Sequence, residues 1–495
     1  MRKRSSLSIL RWVAVALIFL AVLLTGITLV RYSRIRSTFP PGMVIAGVPV
    51  AGLDQQQAAE RLAQAYGVPV ELRYGNAVIH LRPSVVGFKL DLESMLAAAD
   101  LQRITQPFWS AFWDYLWNRL PTPKEVPLRA AISEERLRSY LIEEIAARYD
   151  RPAVAAMPVP GSVNFQGGEA GTVLDIDRAV VLISDALKSP HSRVVNLTFN
   201  QVTPGRPSLQ NLQILLQQTI DLAGFDGLAE FYLLDLQNRQ ELSFAYQRGE
   251  NIRPNIAFTA ASTMKIPIMI AVFNRVPEPT PESIRAMLEL MIERSENDPA
   301  DRMMEMVMDR NLGPLQVTDD LLALGLKSTF LAGYFYPGAP LLRRYETPGN
   351  SRSDITTEPD AYNQTTPPEM GMLLDDIYQC SESGGGTFAA VFPGKISRAE
   401  CQLMIEYLAK NRIGVLLQAG LPEGTRFAHK HGWLLDYDGL IHHMSDVGIA
   451  YTPGGNYIVA IYLYHPVQIV FDPANQLMAN FSRAIYNYFN LTASP

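Results

Sequence analysis

The sequence predicts an α+β protein tethered by an N-terminal membrane-spanning helix, and three features carry that expectation. The run Trp12 to Val30 holds 19 residues without a charge; at about 1.5 Å per residue it spans roughly 28 Å, close to the hydrocarbon thickness of a bilayer. Beyond it, helical spacing alternates with hairpin signals. Gln55 to Tyr66 sets Ala and Leu at helical intervals behind an Asp54 cap, and the alternating runs Glu71 to Tyr74 and Ala77 to Arg82 flank Gly75-Asn76. Near the C-terminus, Asp446 to Tyr451 and Tyr457 to Tyr462 are strand-like runs joined at Pro453-Gly454-Gly455.

Composition narrows the class. With 495 residues, 48% hydrophobic and 19% charged, the chain sits near globular averages, which excludes wholesale disorder, collagen-like repeats and a multi-span membrane bundle. Its length suggests two or three domains. A net charge of −6 with no Lys-rich run argues against a nucleic-acid partner. Two cysteines, Cys380 and Cys401, exclude a disulfide-dense scaffold and a Cys-only zinc site.

The apolar run reads as an uncleaved anchor, with a cleavable signal peptide as the rival. It is longer than a usual signal core, and no A-x-A-like site follows it. Arg2, Lys3, Arg4 and Arg11 precede it, against Arg31, Arg34 and Arg36 after it, which favours a cytoplasmic N-terminus by a narrow margin. Residues 1–36 are then a cytoplasmic stub and anchor, and the rest lies outside the cytoplasm, where a Cys380–Cys401 disulfide is permitted.

Residues 37–203 read as a mixed α/β region that repeats itself. Gly87-Phe88-Lys89-Leu90-Asp91 leads into a helical stretch, and Gly171-Thr172-Val173-Leu174-Asp175 does the same again, which suggests an internally duplicated α+β module. Leu-Asp before a helix is also an ordinary capping arrangement. The opening Gly47-Val48-Pro49-Val50-Ala51-Gly52-Leu53-Asp54, with Ala58-Ala59 and the two G-x-x-L-D phrases, resembles the peptidoglycan-binding modules found beside VanW-type domains, and the resemblance implies a wall-facing module.

Between the two phrases, Phe108, Trp109, Phe112, Trp113, Tyr115 and Trp117 crowd into ten residues. Without flanking lysines, the segment reads as a core-facing helix joining the two halves; a surface touching the membrane interface is the rival. Thr203 to Pro207 is a breaker-rich linker, and Ser208 is placed to cap the helix that opens the last region, 204–495.

Three short motifs in that region bear on chemistry. Ser262-Thr263-Met264-Lys265 opens the apolar run Ile266 to Phe273. In a helix, Ser262 and Lys265 share one face, so an amine of lowered pKa can take the hydroxyl proton beside free N–H groups at the helix start; the alternative is a capping Ser and a surface Lys. Ser295-Glu296-Asn297 falls between two helical stretches and can present a hydroxyl and an amide to a cleft, or simply cap a helix. Lys430-His431-Gly432 starts a strand-like segment where a cation attracts an anionic substrate and glycine allows close approach, or where a solvated Lys protects a sheet edge. With nine lysines in the chain, S-x-x-K and K-x-G each occur once.

The ordered set S-x-x-K, S-x-N, K-x-G resembles the serine penicillin-recognising enzymes, and its surroundings resemble class A beta-lactamases. Those surroundings include Thr365-Thr366-Pro367 before a helix and Ala419-Gly420-Leu421-Pro422-Glu423-Gly424 before the K-x-G strand, and they run from about Pro207 to Ser494. The resemblance implies a central antiparallel sheet flanked by helices, an all-helical subdomain, and amide hydrolysis through an acyl-enzyme, on beta-lactams or a related cell-wall peptide. It implies no cofactor and no metal. Ser262 would be the nucleophile, Lys265 its base, and Ser295 a proton relay. Asn297 and Lys430 would bind substrate, Gly432 would let it approach, and the N–H groups of Ser262 and Trp433 would form an oxyanion hole.

Two departures stand out. His431 replaces the hydroxyl residue usual between Lys and Gly. The deacylating carboxylate has two candidates, Glu346, whose Glu346-to-Asn350 spacing matches the family's loop, and Glu358. Without either in place, the protein would be acylated yet turn over slowly, like a penicillin-binding protein, or be a non-enzymatic wall-binding protein. His429, His431, His442 and His443 pose a transition-metal site against a His-bearing strand pair beside the cleft; no carboxylate or Cys at ligand spacing favours the latter.

Overall fold

The computed structural model describes residues 5–119 and 121–491; Arg2, Lys3, Arg4 and the Ser494 end of the family-like stretch fall outside them. The chain divides into two compact units, one of residues 1–153 and 170–203, the other of residues 154–169 and 204–495. The expected border at 203 is therefore crossed earlier as well. The hairpin Met157–Pro158 with Phe165–Gln166 belongs to the second unit, where Asn487 Nδ2 donates to Val163 O at 3.0 Å. Nothing in the hydropathy of 154–169 announces this, because the hairpin is held by contacts more than 300 residues away in sequence.

The first unit opens with α1 (Ser5–Arg36), which contains a Leu10–Arg36 stretch of mean hydropathy 2.8 with no part of its apolar window buried. It continues through α2 (Gln55–Gly67), the hairpin β1 (Val70–Tyr74) and β2 (Ala77–Leu81), α3 (Leu92–Ile104), α4 (Phe108–Leu116), β3 (Gly171–Leu174), α5 (Ile176–Lys188), β4 (Val194–Asn196) and β5 (Phe199–Val202). Asp54 caps α2 in a reciprocal capping box with Gln57, and β4 adds to β1 in parallel. Both G-x-x-L-D phrases end on a helix cap: Asp91 accepts from Ser94 N and Asp175 from Arg178 N, each before a 13-residue helix. The strands preceding the two caps pair in separate two-stranded ladders, so what the phrases share is the capping arrangement.

The aromatic segment departs from the expectation of a core-facing helix. In α4 only Ala111 and Phe112 are buried, while Trp109, Trp113 and the C-cap residue Trp117 stand 69%, 62% and 61% exposed. Four-residue spacing puts those three indoles on one face, and the face that packs does so on Tyr32 of α1.

In the second unit the elements are α6 (Leu209–Ala223), β6 (Leu228–Asp235), β7 (Glu241–Gln247), β8 (Glu250–Ile252), β9 (Phe258–Thr259), α7 (Lys265–Phe273), α8 (Glu282–Glu293), α9 (Asn297–Val307), α10 (Gly313–Ala323), β10 (Phe330–Leu331), β11 (Asn363–Thr365), α11 (Pro367–Ser383), α12 (Arg398–Ala409), β12 (Arg426–Trp433), β13 (His443–Tyr451), β14 (Tyr457–Tyr464) and α13 (Phe471–Phe489). Six strands form an antiparallel sheet in the order β8-β7-β6-β14-β13-β12. Every residue of β6 and β14 is buried, because both sheet faces are covered. Phe231, Leu233, Ile461 and Leu463 face α6 and α13, while Tyr232, Leu234, Ala460 and Tyr462 face the core shared with α7 and α11. Cys380 and Cys401 are bonded and tie α11 to α12; closing a loop of this length is worth about 3 kcal/mol.

Candidate active site

The site is assembled at the edge strand of the sheet, from three segments brought against it. β9 pairs with β11, which lies between β9 and β10. Ala260 N then donates to Asn363 O at 3.3 Å, and the chain turns through one 3₁₀ turn, Ala261–Met264, into α7. Thr263 pins this turn to the sheet, with its Oγ1 2.7 Å from Ala260 O and 2.9 Å from the Tyr462 hydroxyl on β14. Ala261, immediately before Ser262, has φ +47°. A left-handed alanine costs on the order of 1 kcal/mol, and it is held here by the turn around it. All nine residues of α7 are buried, so the helix that starts at Lys265 is a fixed platform.

Ser262, Lys265, Ser295, Asn297 and Lys430 converge. Lys265 Nζ lies 2.8 Å from Ser262 Oγ, 2.7 Å from Ser295 O, 2.7 Å from Asn297 Oδ1 and 3.5 Å from Ser295 Oγ. The carbonyl and amide oxygens can only accept, so they take two N–H bonds of a neutral amine and leave its lone pair free for the Ser262 hydroxyl proton. Lys265 has no solvent exposure, and burial pushes its amine down to about 7, against the smaller upward pull of Asp301 and Glu296. Phe335 lies under the same nitrogen, 5.5 Å from Nζ to ring centroid.

Ser295 occupies the turn between α8 and α9 with φ +63°, a left-handed conformation that aims its hydroxyl back at the lysines. Its Oγ accepts from Lys430 Nζ at 2.8 Å. Lys430 is fully buried near the end of β12, which begins at Arg426, four residues ahead of the motif. It is neither the solvated edge lysine of the simpler reading nor a freely exposed cation. Burial, with the neighbouring Lys265 charge, holds its amine well below the ordinary lysine range.

Gly432 and Trp433 complete the edge. A Cβ on Gly432 would meet Ala260 O at 2.9 Å, Ser445 Oγ at 3.0 Å and Ser262 N at 3.2 Å, so only glycine lets β12 pass this close to the turn that carries Ser262. Trp433 lines the cleft and stacks on His431, centroids 4.7 Å apart. His431 is buried; burial, with Lys430 beside it, pushes its imidazole far down, and Nδ1 lies 3.2 Å from Asn411 Nδ2. His429 bonds Asp446 and Gln418, both at 2.9 Å. These two rings are thus engaged by protein groups, and among the described residues no cluster of ligands suits a metal ion.

Above this floor lies a cleft of about 960 Å³ lined by Ser262, Asn297 and Trp433 together with Tyr336, Tyr362, Glu358, Asp360, Asp436 and Asp438. Of the two carboxylates expected from sequence, Glu358 lines the cleft at φ +49°. Glu346 is exposed and does not line it, although Asn350 organises its loop by accepting from Thr347 N and donating to Tyr345 O. Asp360 was not anticipated. It lines the cleft, accepts from Tyr362 N and Asn363 Nδ2, and its carboxyl is raised by burial. Asp301, raised by burial to about 6 and accepting from Phe335 N, was not anticipated either. Neither belongs to a short motif, so no local spacing could have marked them.

Residues 277–489 match the family described as the beta-lactamase enzyme family. The match begins downstream of Ser262 and Lys265. No curated protein matches the chain. Among solved structures, a mutant of PBP-A, an acyl-enzyme complex with penicillin G, is 22% identical, with 57% of this chain and 97% of that one covered at a TM-score of 0.39. PBP-A itself is 21% identical, covering 58% and 98% at a TM-score of 0.39. A variant of the class A beta-lactamase of the last common ancestor of Gram-negative bacteria is 20% identical, covering 55% and 96% at 0.39.

Proposed function

We propose that residues 204–495 form a serine hydrolase that is acylated at Ser262 by beta-lactams or a related cell-wall amide. One observation carries the reading: an unexposed lysine, lowered to about 7, sits 2.8 Å from a serine hydroxyl with its other hydrogen-bonding directions occupied. Ser262 Oγ attacks the amide carbonyl while its proton passes to Lys265 Nζ. The N–H groups of Ser262 and Trp433 receive the developing oxyanion. When the C–N bond breaks, Ser295 Oγ gives its proton to the leaving nitrogen and is resupplied from the lysines on either side of it. Asn297, which lines the cleft, orients the substrate, and Lys430, buried beneath it, acts through its hydrogen bond to Ser295. The first unit, held by α1 as an uncleaved anchor, faces the cell wall; the length and hydropathy of α1 support the anchor, and the resemblance of the Gly47-to-Asp54 opening to modules beside VanW-type domains supports the wall-facing role.

A second reading, slow turnover in the manner of a penicillin-binding protein, is favoured by the exposure of Glu346 outside the cleft. Fluorescent penicillin and a chromogenic cephalosporin separate the two. Rapid colour change means hydrolysis, and a stable covalent label on Ser262 means slow turnover. Neither signal from folded protein means a binding protein with an inactive site.

A further inference from the structure

The three tryptophans of α4 and its C-cap are more than half of the five in the chain, and they share an exposed helix face with exposed Leu116, while Leu101 and Ile104 of neighbouring α3 are exposed as well. The opposite face is fastened to α1. Tyr32 is buried with its ring 5.5 Å from Phe108, 5.5 Å from Phe112 and 5.1 Å from Tyr115. Arg36 donates to Gln106 O at 2.9 Å and lies over the Phe108 ring, and Arg103 donates to Arg36 O at 2.6 Å. Tyr32 stands two residues past the uncharged run that ends at Val30, about 3 Å along a helix axis. The height of α4 is therefore set by α1 at the end of the span, where the hydrocarbon meets the headgroups. Tryptophan favours that layer because its ring is apolar and its N–H remains wet. Arg103 and Arg119 bracket the segment, supplying cationic flanks that a search for lysines overlooks.

We propose that α4 lies in the interfacial layer of the bilayer that α1 crosses, with Trp109, Trp113 and Trp117 among the lipid headgroups and upper acyl chains. The placement rests on α1 being retained as an anchor. The full chain is reconstituted in phosphatidylcholine–phosphatidylglycerol vesicles carrying a Trp12→Phe change, so that the span itself does not fluoresce. Flotation with the vesicles reads the anchor. Quenching of tryptophan emission by lipids brominated high on the acyl chain reads α4. The expected result is strong lipid quenching that falls at least twofold when Trp109→Ser, Trp113→Ser and Trp117→Ser are added with unchanged circular dichroism. A single Trp113→Asp change gives an intermediate loss. Protein that floats but is quenched only by aqueous iodide overturns the proposal while sparing the anchor, as does emission shielded by contact between copies and released on dilution. Protein that fails to float removes the anchor reading and this placement with it.

Discussion

Lys430 Nζ donates to Ser295 Oγ at 2.8 Å across 135 residues of sequence, and neither the lysine nor its partner Lys265 is exposed to solvent. Two buried amines thus share one hydroxyl. Each charge raises the cost of the other, so the pair favours a state in which one amine is neutral, and that state is the one general-base chemistry requires.

Lys265→Ala is expected to lower the rate of covalent labelling by fluorescent penicillin by roughly 10²–10⁴-fold, the range of a lost general base. The fold should survive with a lowered melting temperature, because the change removes a buried amine together with its packed methylene stem. Labelling at the wild-type rate in that variant, with circular dichroism unchanged, would eliminate the proposed base.

The acylation rate should rise with pH through about 7 and level off above it. Lys265 in the folded state releases its proton near 7 because burial disfavours the ammonium; below that pH the amine is charged and cannot accept from Ser262. The same depression makes the folded state more stable as pH climbs from about 7 toward the ordinary lysine value, since the unfolded chain holds that proton longer. Pre-steady-state labelling between pH 5 and 9 measures the first effect, and a flat profile would count against Lys265.

Gly432→Ala should cut acylation more than tenfold with only a small fall in melting temperature. The new methyl meets Ala260 O at 2.9 Å and Ser262 N at 3.2 Å, so β12 must move away from the nucleophile turn to admit it. Full activity in this variant would mean that the strand does not frame the reacting carbonyl.

Substrate charge should matter in an unusual direction. Glu358, Asp360, Asp436 and Asp438 line the cleft, and its described lining contains no Lys or Arg. Penicillins whose side chain carries an amine are expected to show a lower KM than those carrying a second carboxylate, and Glu358→Gln with Asp438→Asn should narrow the gap. Equal KM values in the wild-type protein would dismiss the effect.

The legible part of this molecule is local. Ser262 and Lys265 lie three apart, so helical geometry alone places them on one face, and the Asp54, Asp91 and Asp175 caps announce their helices by residue type. An uncharged run of 19 residues defines α1 by length. Asp301 and Asp360 were invisible because what distinguishes them is burial beside groups remote in sequence. The exposure of Trp109, Trp113 and Trp117 is not legible either, because helical spacing identifies a face without saying whether protein or solvent lies against it.

By itself, then, the sequence determined the α+β class, the apolar N-terminal helix and the three chemical motifs, since each depends on residue type and spacing within a few turns. Tertiary structure decided that Lys265, Ser295 and Lys430 meet, that Glu358 and not Glu346 enters the cleft, and that residues 154–169 join the second unit. Those outcomes depend on which strand packs at the sheet edge and how much water it excludes, and hydrogen bonds and amine pKa values follow from that exclusion.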